Sequence, residues 1–350
     1  MFGTYQSDDV TLLLKDITGL VEPQPASVRE KLIQSGTHYC EMLPLEYAPS
    51  ETYMTTFHRA LTRYSKITAD ATAAVAEQIH AEKGDRAVLV SLARAGTPIG
   101  ILIKRYLKAK YGVSVSHYSV SIIRGRGIDR NAMNTILSRH AAENIQFVDG
   151  WTGKGAIQRQ LNEAMTEWPD VDPGLAVLSD PACIARIRGT RDDFLIASSC
   201  LNSTVSGLLS RTFLRSDIIG PDDYHGAAFY PELKDQDLTY TFIDAVQAAF
   251  PPAAPAPEKT EGCFEDAMAE VEGIRAAFGI HDINLVKPGI GEATRVLLRR
   301  MPWKILVHSL RDDDHLAHLY QLAAEKGTEL VEYPMTHYRA CGLIKEMADT

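Results

Sequence analysis

Residues 146–157, QFVDGWTGKGAI, decide how this chain is read. The apolar run of Ile145, Phe147 and Val148 ends in the carboxylate of Asp149. A short Gly/Thr/Lys loop then leads into a helical pattern at Ala156, Ile157, Leu161, Ala164 and Met165. Strand, loop and helix in that order put the loop where first-turn amides are unsatisfied and the helix dipole is positive, which suits an anion. Gly153 and Gly155 permit close backbone approach, and Lys154 adds a charge. The Walker spacing G-x-x-x-x-G-K-[ST] is absent. Asp149 stands at the carboxyl end of its strand, where open α/β sheets place their ligands. The stretch reads equally as an ordinary glycine-rich turn.

Working outward, the same rhythm repeats. Residues 68–82 read as a helix capped near Thr68 or Asp70, and 87–92 (AVLVSL) as a buried strand. A helix follows, with Pro98 where it begins and Gly112 where it ends. Residues 113–123 read as the next strand, 124–130 as an arginine-rich loop punctuated by glycine, and about 131–141 as a helix. Strands are predicted at 175–178 and 194–197 and a helix at 203–214. Strands alternating with helices imply an α/β fold, a parallel sheet with helices on both faces. The prolines of 251–262 mark an extended linker, and 263–350 read as a small α-β-α-β-α-β unit. Residues 1–64 read as a helical N-terminal extension over the core, which leaves 65–250 as the main domain.

The chain's 350 residues suffice for two domains, and 45% hydrophobic with 23% charged residues describes an ordinary globular protein. No apolar run reaches the length of a membrane span, and the first residues lack a secretory pattern. Cys40, Cys183, Cys200, Cys263 and Cys341 are scattered and form no CxxC, which predicts reduced thiols and a cytoplasmic location. A net charge of −9 argues against a general polyanion binder.

Three loops fall at the carboxyl ends of three predicted strands: Arg94-to-Pro98, Arg124-to-Arg130 and Asp149-to-Ala156. Together, over about residues 65–215, they resemble the type I phosphoribosyltransferase set. The resemblance implies an enzyme that transfers ribose 5-phosphate from phosphoribosyl pyrophosphate to a nitrogenous acceptor. Asp149 would hold the ribose hydroxyls, and Thr152, Gly153, Lys154 and Gly155 the 5′-phosphate. Arg94, Ala95 and Gly96 would face the pyrophosphate with its magnesium ion, and Arg124 and Arg126 would close as a lid over the leaving group. Two features depart from that pattern: Gly150 stands where a second acid is usual, and Trp151 is unexpectedly bulky. An arginine-rich lid also fits a homodimer that shares sites.

The segments VSLARAGTPIG, HYSVSIIRGRGID, FVDGWTGKGAI, SSCLNSTVSGLLSRT and PDDYHGAAFY resemble a narrower bacterial family, StiP. That resemblance implies a link to tellurium-resistance and stress gene clusters, and either transferase or cysteine-protease activity. For a protease, Cys200 at a predicted helix start is the candidate nucleophile and His225 its base, with Asp222 or Asp223 orienting the ring. Cys200 reads equally as a small core residue. His315 and His318 stand at metal-sharing spacing, although a solvated helix start explains them as well.

Near the C-terminus, KPGIGEATR (residues 287–295) precedes a strand, an acidic turn and an amphipathic helix. Order and spacing resemble the PELOTA and kink-turn-binding superfamily, which implies a structured RNA partner contacted by Gly289, Glu292 and Arg295. Gly291 replaces the Asn of that signature. A third reading is therefore a non-catalytic RNA-binding or sensor protein.

Overall fold

The computed structural model describes residues 2–46, 49–256 and 264–345. Its first part runs β1 (Thr11–Leu13), β2 (Lys15–Asp16), α1 (Ala26–Gln34), α2 (Glu51–Lys83), β3 (Val88–Ala93), α3 (Gly96–Tyr111) and β4 (Ser116–Ile123). It continues with β5 (Gly127–Ile128), α4 (Arg130–Leu137), β6 (Ile145–Val148), α5 (Ala156–Ala164), β7 (Leu175–Ser179), β8 (Ile187–Thr190), β9 (Gly226–Ala227) and α6 (Thr239–Ala248). Its last part holds α7 (Phe264–Ala277), β10 (Val286–Pro288), α8 (Ile290–Arg299), β11 (Pro302–Val307), α9 (Asp313–Lys326), β12 (Glu329–Glu332) and β13 (Ala340–Ile344).

The main sheet has the order β1-β4-β3-β6-β7-β8, every neighbour parallel, with the short β5 antiparallel to β4. The fold is therefore the α/β class expected. β3 is buried along nearly its whole length because helices cover both faces: α2, α3 and α6 on one, α4 and α5 on the other. Each fully buried Ile or Leu of that core contributes roughly 1.5–3 kcal/mol. A Cβ on Gly96 would stand 2.4 Å from the Val148 carbonyl oxygen, so only glycine lets α3 start against β6.

The N-terminal segment is only partly the helical extension expected. Thr11–Leu13 adds a parallel edge strand to β4, and Lys15–Asp16 pairs with β9. The predicted helix at 68–82 is the second half of α2, which begins where the Ser50 hydroxyl accepts the Tyr53 N–H at 3.2 Å. Thr68 lies inside that helix, its hydroxyl returned to the Tyr64 carbonyl at 2.7 Å. The strand expected at 194–197 is absent. Phe194, Leu195 and Ile196 are buried apolar residues outside any ladder, and β8 comes earlier, at Ile187–Thr190. The helix expected at 203–214 is a single turn, Ser203–Val205, broken by positive φ at Gly207 (70°) and Leu208 (54°).

The C-terminal part forms its own four-stranded sheet, β10-β13-β11-β12. β13 (ACGLI) was not anticipated, yet it pairs with both β10 and β11. Of the expected linker, 257–262 lie outside the described residues.

Candidate functional site

The loop after β6 is engaged from within the chain. Asp149 Oδ1 accepts the Gly150 N–H at 2.8 Å, and burial pushes the carboxyl up to about 6. Thr152 Oγ1 donates to buried Asp180 at 2.6 Å. Lys154 turns away from the loop: its Nζ donates to the carbonyls of Ile283 and, at 2.9 Å, Val286, and burial pulls the amine down to about 8. The Gly153 carbonyl accepts the Tyr338 hydroxyl at 2.7 Å. Gly155, at φ 72°, starts α5. Arg94, joined to Ala93 by a cis peptide bond, donates to the Leu209 carbonyl at 2.6 Å and faces Glu46 at 3.5 Å. Ala95 is half-buried and precedes α3.

The C-terminal part closes over that loop. Arg295 lies 4.3 Å over the Trp151 ring while pairing with Glu292 at 3.1 Å. A Cβ on Gly291 would stand 2.7 Å from the same ring, so the indole occupies the space a side chain would need. Gly289 keeps φ at 96° and donates its N–H to the Ala340 carbonyl. Asp193 fastens this seam, accepting Ile290 N–H at 3.0 Å and Arg339 N–H at 2.8 Å.

Cys200 and His225 belong to different networks. Cys200 is buried, among the described residues no histidine hydrogen-bonds its thiol, and burial pushes the thiol up to about 12. His225 Nδ1 meets the Ser121 hydroxyl at 2.8 Å, and its backbone N–H donates to Asp129 at 2.5 Å. Asp223 pairs instead with Lys15 at 2.6 Å. The expected Cys200–His225 pair is not formed, because the apolar side chains around the short turn Ala197–Cys200 enclose the thiol within the main core.

A different cysteine has a base. His38 caps a single turn, Tyr39–Glu41, with Nδ1 facing the Cys40 N–H at 3.4 Å and the Cys40 Sγ at 2.9 Å. Its Nε2 stands 3.1 Å from the Arg124 carbonyl oxygen. A carbonyl only accepts, so the neutral ring carries its hydrogen on Nε2 and leaves Nδ1 bare towards the thiol. Burial raises the Cys40 thiol and lowers the His38 imidazolium, while Arg126 and Arg211 draw the thiol back down.

The arginine-rich loop expected as a lid lies over this pair. The Arg124 N–H donates to the Tyr39 hydroxyl at 2.9 Å, and Arg124 Nη1 to Asn284 at 3.1 Å. Arg126 pairs with Glu41 at 3.0 Å, and Gly125 and Gly127 both have positive φ. The sequence held one signal for the missed pair: Cys40 has a histidine two residues before it.

His315 and His318 share no ligand geometry: His315 bonds Asp312, whereas buried His318 meets the Thr294 hydroxyl at 3.0 Å. Among the described residues, no three His, Cys, Asp or Glu side chains stand where they could hold a metal ion. No described helix is long and apolar enough to cross a membrane.

Comparison with known proteins gives this geometry a family. The family described as "Tellurite-like stress resistance cysteine protease StiP" matches residues 3–247, and the PELOTA RNA binding domain matches 265–346. The "Cysteine protease StiP" of Acinetobacter baylyi is 35% identical over 365 residues, covering 99% of this chain and 94% of that one. Among solved structures, a hypoxanthine-guanine phosphoribosyltransferase of Bacillus anthracis matches at 14% identity and a TM-score of 0.28, over 36% of this chain and 76% of that one. A xanthine-guanine-hypoxanthine phosphoribosyltransferase of Helicobacter pylori matches at 17% identity and a TM-score of 0.24, over 39% and 76%. Overlaps that weak carry no argument about activity. The expectation of a phosphoribosyltransferase is corrected accordingly: the matching family and relative are named cysteine proteases, and Thr152, Gly153 and Lys154 are spent on contacts inside the chain. With one family spanning most of its length and a relative matching nearly all of it, the chain belongs to the StiP family and carries a C-terminal PELOTA-type segment.

Proposed function

We propose that this chain is a cysteine peptidase with Cys40 as nucleophile and His38 as its base. One observation carries the reading: Cys40 Sγ lies 2.9 Å from a ring nitrogen that the Arg124 carbonyl leaves free to accept a proton. The thiol proton passes to His38 Nδ1, and the thiolate attacks the scissile carbonyl carbon. The imidazolium returns the proton to the leaving amine, which departs as the acyl-thioester forms. Water, its proton taken by the same ring, then releases the acid and restores the thiol. The Arg124 carbonyl holds the ring's far side throughout, orienting the base as a third member does in other nucleophile–base sets.

Because Cys40 is fully buried, a substrate reaches it only when the 124–127 loop lifts, which breaks the Arg126–Glu41 contact. Hydrolysis of fluorescently labelled denatured casein by the full chain tests the reading. Cys40→Ser is expected to lower the rate by roughly 10⁴-fold or more. Equal rates for Cys40→Ser and wild type would remove Cys40 from the mechanism.

The match of 265–346 to an RNA-binding domain supports a second role, RNA contact. Arg295, the cation expected to meet RNA, is held on Trp151, so RNA would compete with that seam.

A further inference from the structure

The loop over Cys40 is held from both parts of the chain. From the first part, the Tyr39 hydroxyl accepts the Arg124 N–H at 2.9 Å, Gln160 Oε1 accepts the Gly125 N–H at 2.6 Å, and Glu41 pairs with Arg126 at 3.0 Å. From the C-terminal part, the Asn284 side-chain oxygen accepts Arg124 Nη1 at 3.1 Å. Asn284 stands in the single turn Ile283–Leu285, and the carbonyls on either side of it, those of Ile283 and Val286, take the Lys154 ammonium. One short segment therefore fastens the C-terminal part to two loops at once, the one after β6 and the one after β4.

The same part turns cations towards the main domain. Arg295 lies over Trp151, Arg299 donates to the Asn202 side-chain oxygen, and Arg300 meets Glu30 through contacts of 2.6 and 2.9 Å. The first two are on α8 and the third is just past its end, so this helix docks by its basic side. A net charge of −9 leaves few other places for a polyanion, and phosphates that took these arginines would have to displace the main domain. α8 does not move alone. Ala293 and Val296 press on Gly342 of β13, and β10, which begins two residues after Asn284, pairs with that same strand. Unseating α8 thus draws Asn284 away from Arg124.

We propose that the C-terminal part is an RNA-released latch: Asn284 holds the 124–127 loop shut over Cys40, and RNA bound by Arg295, Arg299 and Arg300 frees it. The inference rests on the peptidase reading for its consequence, hydrolysis, and on the RNA match for its trigger; the latch itself stands on the contacts to Arg124 and Lys154. The coupling is reciprocal, so whatever RNA does to loop opening, opening does to RNA affinity.

The test alkylates the full chain with iodoacetamide and follows Cys40 by peptide mass spectrometry, which reads loop opening without requiring catalysis. Asn284→Ala removes one exposed hydrogen bond to a charged group, so Cys40 is expected to label about three- to tenfold faster than in wild type. Asn284→Asp keeps an acceptor for Arg124 and should label no faster than wild type, which separates a latch from general loosening. Equal rates for Asn284→Ala and wild type, or faster labelling in both variants, overturn the latch. A stem-loop RNA with an internal bulge should speed labelling of wild type by a similar factor, and by less in Asn284→Ala or at high salt. RNA that binds, as read by fluorescence anisotropy, without speeding labelling overturns the coupling; RNA that does not bind overturns the trigger. Casein hydrolysis should rise in step with labelling. Faster labelling with no hydrolysis in any variant counts against the peptidase reading and leaves the latch standing.

Discussion

Cys40 and Cys200 are both buried thiols in short turns, yet their surroundings divide them. Cys200 sits among apolar side chains, and among the described residues no histidine faces its thiol. Cys40 sits on a polar seam where an imidazole of fixed tautomer faces it, and two arginines offset part of the rise that burial imposes on its thiol. Burial alone therefore does not decide whether a cysteine is structural. The second partner of its histidine does, because that partner determines which ring nitrogen is bare.

The sharpest way to break this contrast is to remove the base. His38→Gln should lower hydrolysis by roughly 10²–10⁴-fold while the melting temperature moves little; an unchanged rate would mean that His38 does not act as base. A smaller effect is expected on the other side. Cys200→Ala should keep hydrolysis within about twofold of wild type and cost ~1–2 kcal/mol in denaturant unfolding, as a small core truncation does. Loss of activity in that variant at retained stability would reverse the assignment of the two thiols.

The smallest effect concerns the seam above the site. Burial pushes Asp193 from 3.8 up to about 7, so the folded chain holds a proton there that the unfolded chain has released. The stabilisation is complete below about 3.8 and is lost as pH rises through about 7. Melting curves should show wild type ahead of Asp193→Asn by more at pH 5 than at pH 8. A gap that widens with rising pH would contradict the assigned protonation.

Sequence periodicity carried the main sheet well, because largely apolar runs such as 88–92 and 145–148 are buried on both sides and leave few alternatives. It failed at 194–214, where apolar residues are buried without ladder partners and positive φ at Gly207 and Leu208 stops a helix. β13 was hidden because ACGLI mixes a glycine and a cysteine into its apolar run, and only tertiary pairing makes it a central strand.

Of the site, the arginine-rich loop at 124–130 was legible as a loop from its glycines and arginines, but the contacts it makes were not. His38 meets Arg124 across 86 positions of sequence, a contact no local pattern announces. Two departures noted separately, Trp151 and Gly291, turn out to be one feature: the indole lies where a side chain at 291 would stand. That packing, with Lys154 and Gly153 held by the C-terminal part, explains why a loop that reads as a phosphate cradle is turned to internal contacts.

Covalent trapping would identify which thiol reacts. The full chain would be treated with a peptidyl vinyl sulfone, digested with trypsin, and the modified residue identified by mass spectrometry. One adduct is expected, on Cys40, formed in wild type and suppressed in His38→Gln. An adduct on Cys200, or on Cys40 at the same rate with and without His38, would contradict it.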